Sequence, residues 1–328
     1  MTRSRPAAVR RTVAFLAVAV LAVACRAGGV GRVPAPGAGA SPPAATAAPG
    51  GPGRCTLAPT GGLIQRTISA PGPTSPATAR TYQLYVPRGV TAGSSVPLLV
   101  SLHGLGANGT IQNAVTRWSA FDDQQAAAGA PFVLALPDGL STLWFWGLEG
   151  SYDVSFVFDV IAQVVGSGCV DRGRVYVDGW SEGAYMAQRM ACDSAGPAAG
   201  AAGIALAAVH GYAGGDPAVV PQSCRPAAGA KAPAILLSQG LDDTLVQPQK
   251  MGFPAFQAWG TRYACRPPAA QYTTPQELTG CRAGTAVDWW PIGGFGHLTW
   301  SCSSPFWHDA GIWAFLTRRS APTSSTCP

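Results

Sequence analysis

Charge is scarce in this chain. Only 12% of its 328 residues are Asp, Glu, Lys or Arg, and lysine is reduced to Lys231 and Lys250. There is no basic run interleaved with aromatics, which argues against a nucleic-acid partner. Histidine is limited to four residues, and no C-x-x-C pair or Cys/His spacing has the form of a zinc site, so neither a metal nor another cofactor is expected. No lysine follows the glycines of His103-Gly104-Leu105-Gly106 in the way a phosphate-binding P-loop requires. No internal repeat and no second folded domain stand out.

The N-terminus carries its own signals. Arg3, Arg5, Arg10 and Arg11 precede an uncharged run from Thr12 to Ala24 that is too short to span a bilayer comfortably, and this pattern predicts an export signal over residues 1–24. The four arginines account for four of the formal +6 charge. Ala22-Val23-Ala24 is an A-x-A cleavage site, and the small residues before Cys25 also resemble a bacterial lipoprotein box. Cysteine number favours lipidation of Cys25, because nine is odd and the remaining eight can form four disulfides in an oxidising compartment. A membrane partner is then expected through the N-terminal lipid. Locality suggests the pairs Cys265–Cys281 and Cys169–Cys192. Residues 25–54 are dominated by Ala, Gly and Pro, which cannot bury enough apolar surface to offset chain entropy, so they read as a tether. The globular domain is predicted over 55–328 and is expected to be exported, either extracellular or held at the cell surface.

Within that domain, polar and apolar residues alternate over Arg80–Pro87, as in an edge or half-buried strand. Nearly continuous apolar runs predict strands buried on both faces at Val96–Leu102, Phe132–Leu136, Arg174–Val177 and Ala234–Leu237. Helices are predicted at Trp118–Ala128, Val154–Val165 and Glu182–Cys192. This alternation implies an α/β fold, with a mostly parallel sheet covered by helices on both faces. In such sheets ligands bind beyond the carboxyl ends of the strands.

The strongest motif is Gly179-Trp180-Ser181-Glu182-Gly183, a G-x-S-x-G set between a predicted strand and a predicted helix. That context defines a nucleophile elbow, in which glycines allow a sharp turn that exposes the serine Oγ. Serine needs a base, and the base needs an acid to fix its tautomer. His297 lies in the glycine-rich Gly293-Gly294-Phe295-Gly296-His297, where it can reach over the sheet edge. His210 and His308 lack such a context and read as core or surface residues. The acid should follow a strand between serine and histidine; both Asp242 and Asp243, in Gln239-Gly240-Leu241-Asp242-Asp243, meet that requirement. The backbone amides of Glu182 and Leu105 are the expected oxyanion hole. Trp144, Trp146 and Trp300 are candidates for the substrate surface, since loop tryptophans can stack on a sugar, a phenyl ring or a polyester chain; His103, directly after a strand, reads first as a residue that shapes its loop and is a further candidate for that surface.

These segments resemble the secreted esterase family that includes polyhydroxybutyrate depolymerase-like lipoproteins and feruloyl or acetylxylan esterases, all α/β-hydrolases. The resemblance runs from about Arg80 to Leu316. It rests on Leu102-His103-Gly104, Asp153-Val154-Ser155-Phe156, Cys169-Val170-Asp171, Gly179 to Ala184, Gly240 to Val246 and Gly293 to His297. In relatives the acid loop reads glycine, two residues, then aspartate before a valine-containing apolar stretch, an alignment that implies Asp243 as the acid. Glu182 departs from the uncharged residue usual after the serine; at a helix N-terminus its carboxylate is expected to point sideways. Leu298-Thr299-Trp300 is one residue longer than the usual spacing after the histidine. The resemblance implies a serine carboxylesterase that acts on hydroxybutyrate-type, feruloyl or acetyl esters through an acyl-enzyme. A peptidase of the same fold and a catalytically silent cell-surface binding protein remain open as alternatives.

Overall fold

The computed structural model describes residues 54–147, 151–194, 204–217, 232–267, 271–302, 304, 306–318, 324 and 326. The expected export signal, Cys25 and the tether up to residue 53 lie outside the described residues.

Nine strands form one sheet. They are β1 (Ile64–Ala70), β2 (Thr78–Tyr85), β3 (Val96–Leu102), β4 (Val133–Pro137), β5 (Val170–Trp180), β6 (Ala208–Tyr212), β7 (Ala234–Gly240), β8 (Gln276–Leu278) and β9 (Val287–Ile292). Their spatial order is β1-β2-β4-β3-β5-β6-β7-β9-β8. The pairs from β4 through β3, β5, β6 and β7 to β9 are parallel, while β1, β2 and β8 add antiparallel edges. The described helices are α1 (Gly109–Thr116), α2 (Trp118–Ala127), α3 (Tyr152–Gly166), α4 (Glu182–Asp193), α5 (Gly252–Arg262) and α6 (Trp307–Arg318).

Every residue of β3, β4, β7 and β9 is buried, as expected where helices cover both faces. Within these runs the period of two persists. Leu98, Val100 and Leu102 of β3 face a core built with α3, α4 and α5, whereas Leu99 faces the opposite core, where Trp118 and Phe121 of α2 meet Trp313 and Phe315 of α6. β1, by contrast, is largely solvent-facing and closes one edge.

The predicted strands and helices are all present. β1, β6, β8 and β9 were not foreseen, because they are short, exposed or rich in tryptophan and histidine. Cys265 does pair with Cys281, but Cys169 pairs with Cys55 across 114 residues and not with Cys192. Locality misled there. Hydrogen bonds Cys55 N→Ala92 O and Thr56 N→Ser167 O lay the segment at residues 55–56 beside the start of β5, so the long-range partner is closer than the one on α4. Cys192 and Cys302 are also disulfide-bonded.

Candidate active site

Ser181 follows β5 and precedes α4, at the carboxyl edge of the sheet. Its backbone takes φ 55° and ψ −118°, a conformation rarely adopted by residues with a side chain. Two glycines make that turn fit: a Cβ on Gly179 would strike the Gly183 carbonyl, and one on Gly183 would strike the Leu102 carbonyl. Ser181 N donates to Tyr212 O at 2.9 Å, which fastens the elbow to β6.

The elbow brings Ser181 Oγ to 2.8 Å from His297 Nε2, and His297 Nδ1 lies 2.9 Å from Asp243 Oδ2. Asp243 is buried, and its Oδ1 accepts from Leu245 N and Val246 N at 2.9 Å each, while Gln239 Nε2 donates to Oδ2 at 3.2 Å. Asp242 is exposed, and no side-chain bond ties it to the histidine; its amide donates to Phe295 O. Of the two aspartates that the sequence offered, only Asp243 meets His297.

Leu105 lies on the turn after β3. Its neighbour Gly104 packs so closely that an added Cβ would lie 3.3 Å from Ser181 Cβ. Among the described residues, neither the Leu105 amide nor the Glu182 amide, the latter in the first turn of α4, donates to a backbone carbonyl. Neither amide is therefore committed to a backbone acceptor there, and Glu182 directly follows the serine. The Glu182 side chain turns to the loop after β4, where its Oε2 accepts from Trp144 N at 3.3 Å and its carboxylate also takes the Trp146 indole. Burial pushes this carboxyl up to about 7.

Three of the four candidates for the substrate surface are buried, which corrects that role for Trp144 and Trp300 and leaves His103 its loop-shaping place. His103 is fully buried: Nδ1 bonds Gly104 O at 2.8 Å and Nε2 accepts from Gly139 N at 2.9 Å, so it shapes the turn rather than the pocket. Burial also lowers its pKa, which favours neutral imidazole. Trp144 is buried against that ring, and its indole donates to His103 O. Trp300 is buried as well, with its indole donating to Asp309 Oδ1 at 3.0 Å. Of the four, only Trp146 keeps partial exposure, stacked on Tyr185 of α4.

Sequence reasoning missed the supports of the histidine loop. The Trp180 indole donates to His297 O at 3.0 Å, and Tyr212 OH donates to Gly296 O at 2.8 Å. Trp180 lies inside the G-x-S-x-G motif and so could have been singled out; nothing local marks Tyr212. A second Ser-His-Asp chain was also unforeseen: His210 on β6 bonds Asp178 of β5 and Ser238 of β7, each at 2.6 Å. All three are buried, with His210 and Asp178 wholly so. No substrate reaches them, and they tie three adjacent parallel strands together. His297 differs in that its side chain is 11% exposed.

No family model matches the chain. Feruloyl esterase B of Piromyces equi is 25% identical over 233 residues, which covers 64% of this chain and 41% of that protein. Among solved structures, acetyl xylan esterase from Aspergillus awamori superposes with a TM-score of 0.56 at 16% identity, covering 78% of this chain and 99% of that one. LpqC, a poly(3-hydroxybutyrate) depolymerase from Bordetella parapertussis, gives 0.51 at 15% identity over 80% and 92%. The chain spans 14%, 41% and 52% of the length of three curated relatives that it matches. It has the α/β-hydrolase fold, and the proteins that it resembles in sequence are named feruloyl and acetylxylan esterases.

Proposed function

We propose that the protein is a serine carboxylesterase, with Ser181 as nucleophile, His297 as general base and acid, Asp243 as the orienting acid, and the amides of Leu105 and Glu182 as the oxyanion hole. The observation that carries this reading is the hydrogen-bonded run from Ser181 through His297 to Asp243, at 2.8 and 2.9 Å, together with two amides that donate to no backbone carbonyl among the described residues. Oγ attacks the ester carbonyl carbon as its proton passes to His297 Nε2, and the tetrahedral oxyanion takes the two amides. The C–O bond to the alcohol then breaks, Nε2 returns the proton to the departing oxygen, and the acyl group stays on Ser181. Water attacks next, giving its proton to Nε2. Expulsion of Oγ, which recovers that proton, releases the carboxylic acid. Trp146, stacked on Tyr185, and the exposed Phe145 are the aromatic candidates for substrate contact on the loop after β4.

The catalytic domain of this proposal occupies 55–328, and residues 25–54 serve as its tether. The disulfides support export to an oxidising compartment. Processing before Cys25 with lipidation of that thiol would anchor the enzyme at the cell surface; mass spectrometry of the mature N-terminus and globomycin sensitivity of processing test this. For the chemistry, p-nitrophenyl acetate and butyrate, methyl ferulate and hydroxybutyrate oligomers form the panel. Turnover that falls at least ~10⁴-fold in Ser181→Ala is expected. Full activity in that variant, or inertness of the folded protein towards a fluorophosphonate, would overturn the reading.

A further inference from the structure

The large apolar side chains that stand exposed among the described residues are Leu105, Ile111, Leu143, Phe145, Leu245 and Leu298. Their distribution is not scattered. Leu105 follows the turn packed on Ser181, and Ile111 sits in the first turn of α1 just beyond it. Leu143 and Phe145 belong to the loop after β4, Leu245 is two residues past Asp243, and Leu298 adjoins His297. These loops touch one after another: Gly106 N donates to Thr142 O at 3.0 Å, Gly104 packs on Trp180 and Ser181, the Trp180 indole donates to His297 O at 3.0 Å, and Asp242 N donates to Phe295 O at 3.0 Å. Leu298 is 73% exposed and Leu105 57%, so neither is a core residue that merely grazes the surface.

The rim is also uncharged. Segments 104–113, 139–147, 244–249 and 293–303 contain no Asp, Glu, Lys or Arg, in a chain that is 12% charged. Of the carboxylates that border them, Asp138 bonds Thr81 Oγ1 and Gly109 N, Asp153 accepts from Phe145 N, the half-buried Glu182 accepts from Trp144 N and Asp243 bonds His297, while Asp242 and Lys250 stand exposed at the edges of the acid loop. Singly exposed leucines need no explanation, but an apolar, neutral ring continuous with a reactive serine marks an interaction surface.

We propose that this collar docks the enzyme on the surface of a water-insoluble, uncharged apolar ester, so that Ser181 works at an interface rather than on dissolved molecules alone. The inference rests on the esterase reading, and it deepens that reading by naming the physical form of the substrate. A hydrated, anionic polysaccharide surface would find no cation within these segments and one, Lys250, at their edge.

Adsorption separates docking from catalysis. The full chain carrying Cys25→Ser, so that no acyl chain contributes, and Ser181→Ala, so that substrate is not consumed, is mixed with a tributyrin emulsion; protein left in the aqueous phase is measured after flotation. Depletion is expected, with an apparent affinity about 10- to 100-fold weaker when Leu143→Ser and Leu298→Ser are added. Melting curves check that the added serines leave the fold intact. In the Ser181 form, the rate on tributyrin should climb sharply beyond its solubility limit, and the ratio of emulsion rate to p-nitrophenyl acetate rate should fall at least fivefold with the two serines. Adsorption that is absent, or unaffected by those substitutions, overturns the collar. So does a concentration-dependent dimer that the two serines abolish without any adsorption, since a second copy would then be the occupant. Loss of p-nitrophenyl acetate turnover in the Ser181 form would sink the esterase reading instead, and adsorption of the Ser181→Ala form does not depend on it.

Discussion

Replacing Asp243 with Asn, and Asp242 with Asn in parallel, discriminates the role of adjacent carboxylates that differ only in placement. Asp243 Oδ1 accepts two backbone amides, and Oδ2 accepts from Gln239 Nε2 and from His297 Nδ1. An Asn can keep its oxygen on the Leu245 and Val246 amides, which leaves Nδ2 facing His297. Two donors then confront each other, and the imidazole relieves the clash by moving its proton to Nε2. In that tautomer Nε2 cannot take the Ser181 proton, although the heavy-atom geometry is preserved. Loss of the correct tautomer in a Ser-His-Asp site costs about 10⁴ in kcat, equivalent to about 5 kcal/mol of transition-state stabilisation. KM should change far less, because the substrate pocket does not include Asp243. Exposed Asp242 touches no part of the relay, so its Asn variant should stay within about twofold. Steady-state kinetics on p-nitrophenyl butyrate, with melting curves to confirm folding, measure both. An Asp243→Asn enzyme within tenfold of the parent, or an Asp242→Asn enzyme crippled a hundredfold, would refute the assignment.

Other consequences are open to measurement. Glu182, pushed up to about 7 by burial, is neutral below that pH and a carboxylate beside the oxyanion site above it; Glu182→Gln should therefore match the parent at pH 5.5 and exceed its kcat/KM several-fold at pH 8.5, and equal ratios at both pH values would contradict this. Buried Asp122, which accepts from Phe132 N at 2.9 Å, is pushed up to about 8 from the usual 3.8, so the folded state holds its proton where the unfolded state does not. Stability should accordingly fall as pH rises between those values, by up to about 1.4 kcal/mol per unit from this group, and denaturant titrations of Asp122→Asn should show a flatter dependence. Removing the Cys55–Cys169 bridge, whose ends are 114 residues apart, should cost more stability than removing Cys265–Cys281, 16 apart. Chain entropy puts the two losses at about 4 to 5 and about 3 kcal/mol, and paired Cys→Ser variants in urea would reveal a reversed order.

Much of the architecture was legible because its causes are local. A continuous apolar run of seven residues, too short for a buried helix, reads as a strand sealed on both faces, so Val96–Leu102 was read with the bounds the structure gives. The elbow was legible because a serine between close-packed glycines, after a strand and before a helix, leaves few other conformations. Asp243 could be selected only through resemblance, since Asp242 has the same chemistry one residue away.

What escaped the sequence depends on segments far apart in the chain. Burial decided that His103, Trp144 and Trp300 hold the loops rather than line them, and no local pattern distinguishes a tryptophan bonded to a distant carbonyl from one stacked on substrate. Likewise, the Cys55 partner, the β6 tyrosine under Gly296 and the sealed Asp178–His210–Ser238 chain arise from neighbouring strands that meet only in the folded sheet. The sequence by itself determined the parallel core, the turn that exposes Ser181 and the order in which serine, acid and histidine occur, because each follows from backbone sterics and hydrophobic periodicity within a few residues. Only the tertiary structure decided which of two aspartates meets His297, which histidine is sealed and which is open, and which leucines stand exposed, because exposure and distance are properties of the packed chain.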